Sequence, residues 1–138
     1  MLDAESTSKK RILERVGILF ENTLQVSRSQ VFDSLFAREK LGSTGLGHGV
    51  AIPHGRIKGL RDAVAAFIKT KALIPFDAPD GQPVNLVFVL LVPERATDLH
   101  LQLLSELAQM FSDKTFREQL QNSNDPAVLH QLFSNWKT

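Results

Sequence analysis

Val84-Asn85-Leu86-Val87-Phe88-Val89-Leu90-Leu91-Val92 is almost wholly apolar, β-branched or aromatic, and Pro93 closes it. A run of this length without polar alternation predicts a strand buried on both faces, as in a sheet with helices on each side. Its unbroken apolar part, Leu86 to Val92, is far shorter than the roughly 20 residues that a membrane-spanning helix requires. Toward the C-terminus, Thr97 or Asp98 is expected to cap a helix running to about Phe111. With His100 at the origin of a helical wheel, Leu104, Leu107, Ala108 and Phe111 fall within about 80° of it, and Leu103 and Met110 close the flank. Gln102, Ser105, Glu106 and Gln109 take the opposite side. His100 is thus expected on the buried face, in the first turn, just beyond the carboxyl end of the central strand, where open α/β sheets gather ligands. Judged alone, it reads equally as a satisfied core histidine. Two more helices are expected at Asp113 to Gln121 and at Pro126 to Trp136, the second capped by Asp125 and with His130 in solvent.

Toward the N-terminus, Asp80-Gly81 signals a tight turn. Ala63 to Thr70 predicts a strand with Val64, Ala66 and Ile68 on one face and Phe67 on the other. Ile74-Pro75-Phe76 reads as a short edge piece, and Gly55 to Asp62 as a polar, basic connection. Gly49 to Ile52 reads as a short strand ended by Pro53. Ser6, Thr7 or Ser8 starts a helix reaching about Glu21, with Ile12, Val16, Leu19 and Phe20 as its buried stripe. Ser27 or Ser29 starts a second, with Val31, Phe32, Leu35 and Phe36 on one side and Gly42 as a left-handed cap. Arg38 lies about 20° from Val31 on that wheel, so it borders the apolar stripe in the last turn. It either points into the segment that follows or simply snorkels beside the helix end. The interleaving of strands and helices predicts an α/β fold: a three-layer sandwich with a mixed, mostly parallel central sheet and helices on both faces. Residues 1–138 are expected to form a single domain.

Composition narrows the function. With no cysteine in the sequence, thiolate nucleophiles, disulfides and cysteine-based zinc sites are excluded. A formal net charge of +1 gives no reason to expect nucleic acid or an anionic membrane as partner. The first residues lack the basic-then-apolar layout of a signal peptide, so a cytoplasmic location is expected.

Gly42 to Gly55 holds five glycines, two hydroxyls, one proline and two of the four histidines in fourteen residues. So little bulk is poor core material, but glycine permits close backbone approach and histidine offers a nucleophilic nitrogen. The stretch has no Gly-Lys-Ser/Thr ending and no dinucleotide glycine spacing, which removes the two common nucleotide loops. His48, His54 and His100, with Asp98 or Glu39, have the donor types of a zinc site, but no tight helical spacing. A Ser43 or Thr44 nucleophile lacks the strand–nucleophile–helix elbow. Phosphorylation of a histidine suits the residues better, because neutral imidazole is a good nucleophile near neutral pH. The added charge calls for donors of the kind present: loop N–H groups such as that of Gly45, the Ser43 and Thr44 hydroxyls, an arginine and a second histidine. Such transfer is positioning plus charge stabilisation and requires no metal or other cofactor.

The run Arg38-Glu39-Lys40-Leu41-Gly42-Ser43-Thr44-Gly45-Leu46-Gly47-His48-Gly49-Val50-Ala51-Ile52-Pro53-His54-Gly55 resembles the signature of enzyme IIA domains of the fructose/mannitol type. These belong to the bacterial phosphoenolpyruvate-dependent phosphotransferase system, and the resemblance is strongest to the nitrogen-regulatory branch. It continues through Pro75-Phe76-Asp77, Gln82-Pro83-Val84 and Leu91-Val92-Pro93 to Asp98-Leu99-His100-Leu101. The resemblance implies that His54 is the phosphorylated histidine, His100 the second active-site histidine and Arg38 the arginine beside the phosphoryl group. It implies a histidine phosphocarrier protein as donor, and targets such as a potassium transporter or a sensor kinase. His48 stands where relatives often carry asparagine and is expected to be a neutral variation. Two alternatives stay open: a sugar-specific IIA component passing phosphate to an enzyme IIB cysteine, and a non-catalytic anion- or metal-binding module.

Overall fold

The computed structural model describes residues 2–4, 8–24, 26–61, 63–76, 79–95 and 98–123. The chain divides into two compact units, Asp3–Arg95 and Ala96–Thr138. The described strands are β1 (Leu2–Ala4), β2 (Gly45–Gly47), β3 (Val50–Ala51), β4 (His54–Ile57), β5 (Val64–Ile74) and β6 (Val84–Pro93). They form one mixed sheet in the order β1-β5-β6-β3-β2, with β4 also on β6. The described helices are α1 (Lys9–Leu24), α2 (Arg28–Leu41), α3 (Asp98–Ser112) and α4 (Lys114–Asn122).

β6 is the strand that its apolar run predicts. Leu86 and Val87, and likewise Leu90 and Leu91, are adjacent and buried, so both faces are shielded from water. β5 pairs with it antiparallel, Phe67 opposite Phe88. β3 and β4 pair with its other side, both parallel. The register does not slip between them: Ala51 faces Val87, and three residues on in each strand His54 faces Leu90. Pro53 has no N–H to give, so it interrupts the ladder and splits one strand line in two. Its carbonyl still accepts from the Leu90 N–H at 3.0 Å.

Three expectations need correction. His54–Ile57 is strand β4, not part of a polar connection, because pairing with β6 outweighs a local pattern with one apolar residue. Ile74 ends β5 after an irregular register rather than opening a separate edge piece. Gly42 does cap α2, its N–H reaching the Glu39 carbonyl at 3.2 Å, but at φ 157° and ψ 152° it has a positive φ without the left-handed helical ψ.

The helices begin where their caps predict. The Ser8 hydroxyl accepts from the Arg11 N–H at 3.2 Å at the head of α1, and Ser27 accepts from the Gln30 N–H at the head of α2. Ile12, Leu13 and Val16 of α1 and Val31 and Leu35 of α2 join Ile57, Ile68, Val87 and Leu91 in one core cluster. Each such side chain contributes about 1.5–3 kcal/mol on burial. In the second unit, Leu107, Met110 and Phe111 of α3 are buried. Gln102, Ser105, Glu106 and Gln109 are exposed, as the wheel predicts. Asp113 caps α4 by accepting from the Phe116 N–H at 2.9 Å, and the Phe116 ring packs edge-on against Phe111. The expected Pro126 to Trp136 helix, His130 and the side chain of His100 lie outside the described residues. Among the described residues no helix is long and apolar enough to cross a membrane.

Candidate functional site

His54 opens β4 and is half-buried, while Ile52 and Pro53 before it are buried. Its Nδ1 lies 2.9 Å from the Ile52 carbonyl oxygen. A carbonyl oxygen can only accept, so Nδ1 carries the proton, and the neutral ring keeps its lone pair on Nε2. The acceptor sits at the break in the strand line that Pro53 creates. The same proline that halts the ladder thus precedes a histidine tied back to its own backbone.

Helix α2 runs alongside β4. Gln30 Nε2 donates to the Lys58 carbonyl at 3.1 Å, and Ser34 Oγ donates to the Arg56 carbonyl at 2.9 Å. Gly55 makes this approach feasible. A Cβ built on it would overlap Ser34 Oγ and lie 3.2 Å from Ser34 Cβ. Space, not backbone conformation, demands glycine here. Arg38 follows Ser34 by one turn, and its Nη1 donates to the Gly42 carbonyl at 2.9 Å.

The glycine-rich stretch is less open than its composition implies. Gly45–Gly47 pairs antiparallel with Val50–Ala51, which makes it a hairpin with His48-Gly49 at the tip. The Ser43 hydroxyl donates to the Phe76 carbonyl and accepts from the Gly45 N–H at 3.0 Å. The Thr44 hydroxyl donates to Glu39, and the Thr44 N–H reaches the same carboxylate at 3.3 Å. All three groups expected to face a phosphoryl group are therefore bonded within the protein here. His48 is exposed and left-handed, at φ 57°. Its N–H donates to Asp80 Oδ2 at 2.9 Å, and the Gln82 N–H donates to Asp80 Oδ1 at 3.0 Å. Those two N–H groups, His48 first, hold the Asp80 carboxyl below its ordinary range.

Glu39 was reachable from sequence only as a candidate metal ligand, yet the structure uses it as a buried hub for Thr44 and for Lys9, whose Nζ lies at 3.1 Å. The signal was its spacing, since Val31, Leu35 and Glu39 recur every four residues along the buried stripe. Among the described residues, no three histidine or acidic side chains gather to hold a metal. His100 lies in the first turn of α3, as expected.

Residues 1–136 match the model of the family described as phosphoenolpyruvate-dependent sugar phosphotransferase system, EIIA 2. A nitrogen regulatory protein of Pseudomonas aeruginosa is 43% identical over 133 residues, covering 96% of this chain and 86% of that protein. The crystal structure of nitrogen regulatory protein IIA-Ntr from Neisseria meningitidis has 53% identity and a TM-score of 0.90, over 95% of this chain and 90% of that one. The enzyme IIA mannitol of Escherichia coli, solved in complex with phosphorylated enzyme IIB mannitol, shares the fold at 18% identity. Its TM-score is 0.79, over 97% of this chain and 92% of that one. The chain thus belongs to the EIIA type-2 family of the phosphotransferase system and is a homologue of the nitrogen regulatory IIA proteins.

Proposed function

We propose that the protein is a regulatory phosphocarrier of the nitrogen-related phosphotransferase system. His54 Nε2 takes a phosphoryl group from the phosphohistidine of a histidine phosphocarrier protein, and its phosphorylation state tunes target proteins such as a potassium transporter or a sensor kinase. One observation carries the reading: the Nδ1 bond to Ile52, which leaves the Nε2 lone pair for attack. In the step, the donor P–N bond breaks and its electron pair stays on the donor ring as the P–Nε2 bond forms. The Nδ1 proton stays where it is, against a carbonyl dipole that stabilises the positive charge developing on the ring.

The packing of α2 on β4 supports a role for Arg38. Gln30 meets Lys58 just past the end of β4 and Ser34 meets Arg56 within it, so the helix advances toward the start of the strand, where four residues of helix, about 6 Å, match two residues of strand, about 6.6 Å. One further step brings Arg38 level with His54, where its guanidinium serves the phosphoryl oxygens as a charged donor. His100 is assigned as the second stabilising group on the family pattern. The Ser43 and Thr44 hydroxyls and the Gly45 N–H are the remaining donors that the added charge can recruit. In this reading helices cover both faces of the sheet, the chain works as one domain, and it acts in the cytoplasm.

The test is intact mass after incubation with phosphoenolpyruvate, enzyme I and the histidine phosphocarrier. One acid-labile phosphate, absent in His54→Ala, is expected; no uptake from any cognate donor refutes the reading. A second reading, sugar transport, is favoured by the fold shared with an enzyme IIA that binds phosphorylated enzyme IIB. Rapid passage of the phosphate to a IIB cysteine from the same genome would establish it over regulation.

A further inference from the structure

Glu39 is only 7% exposed, although it is charged and stands beside Arg38 in the last turns of α2. Its carboxylate takes three donors: the Lys9 ammonium at 3.1 Å, the Thr44 N–H at 3.3 Å and the Thr44 hydroxyl. Lys9 is the first residue of α1, and Thr44 lies between α2 and β2. One side chain thus joins the start of one helix, the end of another and the entry to the glycine hairpin. Two contacts brace the same corner, since the Lys9 ammonium lies 4.9 Å from the Phe76 ring centroid and the Ser43 hydroxyl donates to the Phe76 carbonyl. If cohesion were all that this position supplied, an apolar side chain would serve as well, because replacing a buried ion pair with packed hydrocarbon is often neutral or stabilising. What hydrocarbon cannot do is fix the Thr44 backbone and hydroxyl in a set direction.

We propose that Glu39 is a positioning residue for phosphoryl transfer to His54. It holds the last turn of α2, and with it Arg38, in a fixed relation to the segment Gly42–Thr44. Loss of the carboxylate frees that segment to move relative to Arg38, and the phosphoryl group then meets donors that are displaced or averaged. The proposal rests on the phosphocarrier reading, and on Arg38 serving the phosphoryl group.

The experiment compares wild type, Glu39→Gln, Glu39→Ala and the packing control Ile12→Val, each phosphorylated by the histidine phosphocarrier at a temperature well below its melting point. A misplacement on the order of 1 Å reduces rate about 100-fold, so Glu39→Ala is expected to lose about that much in kcat and Glu39→Gln about 10-fold. KM for the donor protein should stay within about twofold in both, since neither change removes a docking surface, and phosphate uptake should still reach one per chain. Ile12→Val should melt earlier yet keep the wild-type kcat. Wild-type kcat in a folded Glu39→Gln overturns the proposal, as does an equal loss in Ile12→Val. Should Glu39→Ala not fold, Glu39→Gln and Lys9→Met carry the same comparison. Absence of phosphorylation in wild type would sink the phosphocarrier reading itself, which distinguishes that failure from this one.

Discussion

Gly55→Ala places a methyl group where β4 and α2 nearly touch. The new Cβ overlaps Ser34 Oγ and stands 3.2 Å from Ser34 Cβ and 3.4 Å from the Ser34 carbonyl carbon. Rotation of the hydroxyl relieves the first contact but breaks its 2.9 Å bond to Arg56, a loss of about 0.5–1.5 kcal/mol. The other two contacts involve atoms close to the helix backbone, so α2 must shift outward, an overpacking cost of about 1–3 kcal/mol. Restricting the unfolded chain offsets about 0.4–1 kcal/mol. The net loss is about 0.5–4 kcal/mol, or roughly 2–20 °C in melting temperature for a chain of this size. Urea unfolding of wild type, Gly55→Ala, Ser34→Ala and the double variant measures it. Because Ser34→Ala removes the overlapping oxygen in advance, the double variant should fall short of additivity by about 0.5–3 kcal/mol. Additive losses, or a Gly55→Ala protein as stable as wild type, would refute the steric account. The outward shift should also slow phosphate uptake by His54, since Arg38 rides on the same helix.

Three further outcomes follow from local geometry. Asp80 is held below its ordinary pKa by the His48 and Gln82 N–H groups, so its stabilising effect is whole above the usual carboxylate range and is lost as pH falls through the lowered folded value. In melting curves over an acid series, the gap between wild type and Asp80→Ala should therefore close at the acid end. Leu35→Ala empties a fully buried position on α2 and should cost about 2–5 kcal/mol in urea unfolding; a loss below about 1 kcal/mol would contradict the core assignment. Asp113→Ala removes the acceptor for the Phe116 N–H and should destabilise α4 by about 0.5–2 kcal/mol, read as faster amide exchange from Phe116 onward.

What could be read in advance divides along a physical line. β6 was legible as an unbroken apolar run, α1, α2 and α3 because their apolar positions recur with the helical period, and Ser8 and Ser27 stand where caps belong. β4 was not, because His-Gly-Arg-Ile has no pattern and becomes a strand only through the register it makes with Leu90 to Pro93. The glycine hairpin stood out as a candidate site and was illegible as a shape. Its composition announces close backbone approach, but the partners that fold it inward, Glu39 and Phe76, lie outside it. His54 was singled out by its motif, but which of its ring nitrogens keeps the lone pair required the position of the Ile52 carbonyl. For Arg38 the wheel gave only a border position on α2; how α2 lies along β4 depends on side chain–backbone bonds such as that of Ser34 to Arg56, which no wheel contains.

The order of the strands also has a consequence for how the molecule is made. β6 is the last strand of the first unit to be synthesised, yet β3, β4 and β5 all pair with it. The α1–α2 hairpin rests on near-neighbour contacts and can form while the chain is still emerging, whereas the strand carrying His54 must wait for a partner far downstream. A chain halted before Val84 has His54 but lacks the ladder that orders it, and it exposes strand edges that favour aggregation. On the proposed function, competence to carry phosphate arrives with completion of the sheet, which keeps unfinished chains out of the phosphate relay.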